Sequence, residues 1–465
     1  MSVRTELGRV AAGVVAAAVL LGACAARTTE PDDSAGATVP SAVTTVTFRL
    51  WDEEAARAYE ESFDALSAQF PDVRVRVELV ERADYAARAA EDLAAGTMAD
   101  LFWADPALFP AHADAGALLE AGTVVGEDHD GWEPAVEELF VRDGTLWGVP
   151  QVWHSLALYY RTDLAGAAGV APETLTWAPG GGDGDTLVAA ARGLSTDAAG
   201  RRPGDEGFDP ATQTYGFNAG PDLAAVVGPF LGQNGAALVR EGRFAFATEE
   251  GRAAVQYLVD LARVHQVAPP DLSPEAALAL FTGGRLALLQ AGSANLEAVA
   301  DSGVAWALAP VVAGPHGRPG AVTAVAAVAR ADTKHPGATA TVLRWLASAD
   351  GQAALASQGV GIPAAQDAQA TFVEHWAGRG VEVGVLLDAA DEPQLPLPSG
   401  PGAAAGLEAF GPVLDRVFRG ELPVPEGLQQ AQDAANAAVA GPRPEEQPAS
   451  RTGAFIRHPP AITRR

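Results

Sequence analysis

VTFRLWDEEAARAYEESFDALSAQFPDVRVRVELVERADYAARAAEDLAAGTMADLFWAD, residues 46–105, switches repeatedly between two hydrophobic periods. Val46–Trp51 alternates and stops at Asp52-Glu53-Glu54, the pattern of a strand followed by a helix start. Tyr59, Phe63, Leu66 and Phe70 then recur at helical spacing, and Pro71-Asp72 ends that helix. Val73–Val80 alternates strongly and reads as a second strand. Tyr85–Ala95 is again helical, Gly96 caps it, and Asp100–Trp103 is a short third strand. This order predicts an α/β lobe with mostly parallel strands. Ligands of such sheets bind beyond the carboxyl ends of the strands. Trp51-Asp52 and Trp103-Ala104-Asp105 both stand at such ends. An indole face can cover the C–H face of a sugar ring, and a carboxylate accepts hydrogen bonds from neighbouring hydroxyls, each worth about 1.5–3 kcal/mol. The plainer readings stay open beside this one: Asp52 as a helix cap and Trp103 as a core residue.

Working outward, the N-terminus carries Arg4 and Arg9, then an uncharged apolar run from Val10 to Ala23, then Cys24, the only cysteine of the chain. Basic, apolar and then small residues are the layout of a secretory signal, and the run is shorter than the roughly 20 residues of a membrane span. Leu21-Gly22-Ala23-Cys24 resembles a bacterial lipobox, which implies removal of residues 1–23 and lipidation of Cys24 on the outer face of the cytoplasmic membrane. Residues 25–45 are polar, small and interrupted by Pro, and read as a flexible tether, with a reach of roughly 25 Å for about 20 residues. Residues 441–465 read as a disordered tail.

The span between these ends exceeds the size at which single cores stop growing, so two lobes are expected. The formal charge of −28 argues against a nucleic-acid partner. With Cys24 lipidated no thiol remains for a disulfide, and the fold rests on packing.

Further motifs carry a resemblance. Phe70-Pro71 followed by Val73-Arg74-Val75, the turn Leu93–Leu101 (LAAGTMADL), and Asp143–Pro150 (DGTLWGVP) with Tyr159–Leu164 (YYRTDL) succeed one another. Gly169–Pro172 with Thr176-Trp177, Phe281–Leu288 (FTGGRLAL) and Lys334-His335-Pro336 follow in order. From Val46 to about Val439 the chain resembles the extracellular solute-binding proteins of ABC importers, in the carbohydrate-binding group that includes maltose-binding protein. The resemblance implies two α/β lobes joined by a hinge that the chain crosses several times, a periplasmic-binding-protein-like fold. Lobe one would comprise 46–152 and 310–357, and lobe two 153–309 and 358–440. Val149-Pro150 and Ala309-Pro310 are plausible crossings on their own account, because proline interrupts regular structure.

The resemblance also implies an interlobe ligand site. Trp103-Ala104-Asp105 is similar to the family's ligand-contacting Trp-Ala-x-Asp segment, with Asp105 one residue early. At the hinge crossing, where relatives often carry an acidic contact, this chain has Trp153 and His154. Either both serve the ligand, Trp153 by stacking and His154 by a hydrogen bond, or one faces the hinge core. Asn218 and the segment with Gln290 and Asn295 resemble cleft-lining stretches of lobe two, although Ala294 stands where relatives have an aromatic. Gln233-Asn234-Gly235 fits a cleft contact or a plain turn, and Trp306 reads as core. The acidic residues between Asp183 and Asp209 read as a solvated loop; calcium-loop spacing is missing.

There is no G-x-x-x-x-G-K-[ST] loop, no H-E-x-x-H, no G-x-S-x-G and no paired Cys/His set. The expected protein is therefore a binder with no cofactor and no metal, monomeric, whose partners are a small carbohydrate and membrane permeases served by a separate cytoplasmic ATPase. A glycan-sensing lipoprotein or an exported glycan-active enzyme are the competing readings.

Overall fold

The computed structural model describes residues 42–126, 131–182, 184–210, 213–269, 272–396, 398 and 402–440. The signal segment, Cys24, the tether up to residue 41 and the tail from 441 lie outside these.

Strand β1 (Thr44–Leu50) begins two residues before the sequence pattern suggests, because the backbone N–H of Thr44 already donates to Asp72. Val46, Phe48 and Leu50 alternate into the core beneath helix α1 (Glu53–Gln69), where the Phe48 ring meets Tyr59 edge-on at 4.9 Å. Asp52 caps α1 by accepting from the Ala55 N–H at 2.8 Å, and Glu53 and Glu54 lie at the positive end of the helix dipole. The other face of β1 is polar and equally specified. Arg49 pairs with Glu78 on β2 (Val73–Leu79) and with Asp92 on α2 (Arg82–Ala95). Asp100 accepts from the Thr47 N–H and hydroxyl and from Thr333. Gly96, at φ 69°, takes the left-handed conformation that stops α2 before β3 (Leu101–Ala104).

These three strands are mutually parallel, with β1 between β2 and β3. The rest of their sheet corrects the mostly parallel expectation. Strand β4 is Val149–His154. The second sheet then takes β5 (Leu156–Arg161), β6 (Tyr215–Phe217), β7 (Leu286–Gly292) and β8 (Trp306–Ala309). The chain returns through β9 (Thr323–Ala329) and β10 (Ile362–Pro363). The six-stranded sheet runs β10-β4-β9-β3-β1-β2, with β9 antiparallel to both β3 and β4. The four-stranded sheet runs β8-β5-β7-β6. Leu158 and Leu288 on one of its faces join a core with Trp177, Phe230 and Tyr257; Tyr159 and Leu289 on the other belong to the core of the six-stranded sheet.

The chain thus passes between sheets at Ser155, since β4 ends at His154 and β5 starts at Leu156. Pro150 lies inside β4 and is not the crossing point. Trp153 and His154 accordingly belong to the six-stranded sheet rather than to the second lobe. The stretch 358–440 also divides. Ile362-Pro363 pairs with β4, and helix α3 (Gln366–Gly378) buries Phe372 and Trp376 in the first core. Helices α4 (Ala403–Phe418) and α5 (Val424–Ala440), with Leu422 between them, join the second core, where Asn436 exchanges two hydrogen bonds with the Phe244 backbone.

Among the described residues no helix is long and apolar enough to cross a membrane. Trp306 is half-buried and stacked on Tyr159 at 5.7 Å. In the acidic loop, the Asp197 carboxylate accepts from the backbone N–H groups of Ala199, Arg201 and Asp209 and from the Arg201 side chain. Burial pushes its pKa up, but these donors outweigh that and hold it at about 2. Among the described residues of the loop, Asp197 is the buried carboxylate, while Asp185 accepts from the Tyr257 hydroxyl and Asp205 from the Arg202 N–H. Among the described residues no group of three or more His, Cys, Asp or Glu side chains is placed to hold a metal.

Candidate binding cleft

A cleft of about 670 Å³ opens beyond the carboxyl ends of β1, β2 and β3. One wall is made by Trp51 and Asp52 after β1, Arg82 after β2, and Trp103, Asp105, Pro106 and Ala107 at the end of β3. Val152 and His154 of β4 with Thr323, Ala324 and Val325 of β9 form its floor. The facing wall is apolar: Pro221, Leu223, Ala224, Gly228 and Pro229 from one segment, Leu238, and then Leu395, Leu407 and Phe410. Gly232 permits this wall, because a Cβ there would lie 2.1 Å from a Leu395 methyl.

The aromatic wall is ordered in depth. Trp103 is only 3% exposed, and its indole N–H donates to the Tyr59 hydroxyl at 3.1 Å. Trp51 lies over it, its ring centre 5.0 Å from Trp103 and 4.7 Å from Tyr85, both edge-on. Both rings border the cleft, and Trp51, half-buried, presents more of its surface there than the buried Trp103. The guanidinium of Arg82 lies 4.0 Å from the Trp51 ring centre and is 3.2 Å from Asp105. The other oxygen of Asp105 accepts from the N–H groups of Ala107 and Leu108, which fixes the carboxylate.

His154 lines the floor, with its Nδ1 3.1 Å from the Ser293 hydroxyl. Burial pulls its pKa down to about 4, only partly countered by Asp52, so the ring is neutral at pH 7 and can donate or accept. With Arg82 paired to Asp105, the carboxylate of Asp52 leaves the lining net negative.

The remaining predicted residues do not line this cleft. Trp153 is fully buried and donates to the Pro363 carbonyl at 3.2 Å, so of the hinge pair only His154 reaches the cleft. Asn218 and the backbone of Gln290 exchange two hydrogen bonds, at 2.9 and 2.8 Å, which lock β6 to β7. The Gln290 amide, fully buried, donates to the Ala225 carbonyl and accepts from the Val312 N–H. Asn295 donates to Gly292 at the end of β7. Gln233 is buried and accepts from the Trp177 indole at 2.7 Å. Sequence reasoning missed Arg82 and Thr323. Arg82 was within reach, since it follows the end of β2 as Trp51 follows the end of β1. Thr323 carried no local signal.

A second cavity of about 660 Å³ lies over the Gly180–Gly182 turn, between Arg192, Tyr257 and His265. Its polar groups are paired with one another, Arg192 with His265 and Tyr257 with Asp185.

Comparison with known proteins gives the frame for the cleft. The profile described as bacterial extracellular solute-binding protein matches residues 51–353. A search of curated protein sequences gives no match. Among solved structures, UspC of M. tuberculosis is 38% identical, with 85% of this chain and 100% of that one covered at a TM-score of 0.76. The GacH receptor of Streptomyces glaucescens, studied unliganded and with acarbose, is 21% identical, with 86% and 100% covered and a TM-score of 0.68. The cyclic α-maltosyl-1,6-maltose binding protein of Arthrobacter globiformis is 22% identical, with 85% and 99% covered and a TM-score of 0.68. The two-lobed fold, the extent of the profile match and the similarity to UspC agree: the chain belongs to the bacterial extracellular solute-binding proteins.

Proposed function

We propose that this protein captures a neutral carbohydrate in the cleft and delivers it to membrane permeases of an ABC importer, powered by a separate ATPase. The observation that carries the reading is the wall of Trp51, Asp52 and Asp105 at neighbouring strand ends, facing a cleft of about 670 Å³. That volume lies within the span of about 300–1,000 Å³ usual for small-molecule sites. The half-buried indole of Trp51 suits the C–H face of a sugar, and the carboxylates suit its hydroxyls. The net negative lining opposes an anionic solute. Acarbose-binding and maltosyl-binding relatives of the same fold support this class of ligand. Cys24 would hold the body at the membrane through its lipid, with the segment after it as tether.

Thermal denaturation against a panel of mono- and oligosaccharides tests the reading, since a ligand of the folded state alone raises stability with concentration. At least one neutral saccharide should raise the melting temperature. Trp51→Ala should abolish most of that shift and cost little stability by itself. Trp103→Ala should lower the melting temperature of the free protein, because it empties a buried site worth about 3–5 kcal/mol. A panel without any shift would remove the carbohydrate assignment. The anchor is tested separately by metabolic labelling with an acyl analogue, which should mark the wild type and spare Cys24→Ser; equal labelling would refute it.

A further inference from the structure

We infer that Arg82 is an internal competitor for the binding cleft, a side chain that occupies the stacking face and one of the carboxylates until a solute displaces it. The inference rests on the sugar-capture reading of the cleft and adds a determinant of its affinity. The guanidinium lies 4.0 Å from the Trp51 ring centre, within the range of a cation–π contact. It also pairs with Asp105 at 3.2 Å. Of the groups that this wall offers to a sugar, the Trp51 ring face and the Asp105 carboxylate are thereby covered by one residue, while Asp52 is left open. Trp51 cannot turn away to offer another face, because Tyr85 and Trp103 pack against it edge-on. Asp105 cannot follow the arginine outward, because two backbone N–H groups hold its other oxygen. Arg82 is the movable member: its side chain is 59% exposed and it stands at the first turn of α2, anchored by nothing else described.

A stacked sugar therefore has to lift the guanidinium from both contacts. An exposed cation–π contact and an exposed ion pair are each weak, and their combined loss corresponds to roughly a fivefold to thirtyfold penalty on affinity. The ion-pair half is screened by salt. Raising the ionic strength should therefore tighten binding of a neutral sugar to the wild type, the reverse of what a charged contact to the ligand would give.

The test uses the full chain labelled with 5-fluorotryptophan, with Trp51→Phe to assign the residue 51 fluorine signal. Acrylamide serves as a neutral probe of the ring face and maltotriose as the sugar probe. In Arg82→Ala, residue 51 should become more accessible to acrylamide. Maltotriose affinity should rise roughly fivefold or more and lose its dependence on salt; Arg82→Gln should behave in the same way. Unchanged acrylamide accessibility would overturn the proposal without any sugar being involved. A fall in maltotriose affinity would also overturn it, because Arg82 would then be a ligand contact. Raised accessibility with no maltotriose binding in either protein would support the covered face and count against the sugar reading alone.

Discussion

Trp51 stands one residue beyond β1 and Trp103 is the penultimate residue of β3, so both border the same end of the parallel strands, yet they do different work. Trp103 is buried against Tyr59 at the base of the wall and supports, whereas Trp51 rests on it and is the more exposed to the cleft. The sequence placed both at the site and could not rank them, because the local pattern around each is the same and depth depends on what packs behind. Asp52 shows that the two readings of a residue need not compete: it caps α1 and lines the cleft. His154 is the residue whose chemistry depends most on burial. Its folded pKa of about 4 lies below the usual value of 6.5, so the unfolded chain binds the extra proton between them. Its contribution to stability is therefore intact above about pH 6.5 and is lost progressively as the pH falls toward 4. Urea denaturation across that window should show a shallower pH dependence in His154→Gln than in the wild type; equal slopes would mean that this ring titrates normally.

At the scale of elements, the unit from β1 to β3 was legible in detail. Its strands alternate, its helices carry apolar residues at 3.6-residue spacing, and Pro71 and Gly96 mark the stops. β1 is specified on both faces, with Phe48 inward on α1 and Arg49 held by Glu78 and Asp92 under α2. Phe48→Ala should therefore cost about 3–5 kcal/mol in denaturant unfolding, whereas a loss under 1 kcal/mol would contradict the packing of α1 on this strand. What was not legible is long-range pairing. Nothing in Thr323–Ala329 announces that it inserts antiparallel between β3 and β4, and the two residues Ile362-Pro363 are too few to show a period. The helix that follows, with Phe372 and Trp376, would be equally apolar in either lobe. Asn218 and Gln290 misled for a related reason: buried amides that bridge backbone groups of neighbouring strands have the same residue types as amides that grip a ligand.

For the whole molecule, the cleft wall of carboxylates and Trp51 belongs to the six-stranded sheet, and the facing wall is hydrocarbon. Polar recognition is thus concentrated on one side, and we propose that the other side contributes by closing over the ligand. Closing would bury the half-buried Leu223, Leu395 and Leu407 against a sugar's C–H faces, each Å² of apolar surface contributing about 25 cal/mol. A saccharide that touches both walls binds the closed form better than the open one, and that difference is what shifts the population. Small-angle X-ray scattering of the wild type and of Trp51→Ala, each with and without the saccharide that most raises the melting temperature, tests capture and closure together. The account predicts a smaller radius of gyration for the wild type at saturating saccharide and no change for Trp51→Ala at the same concentration. A wild-type radius unchanged by a saturating saccharide would contradict it.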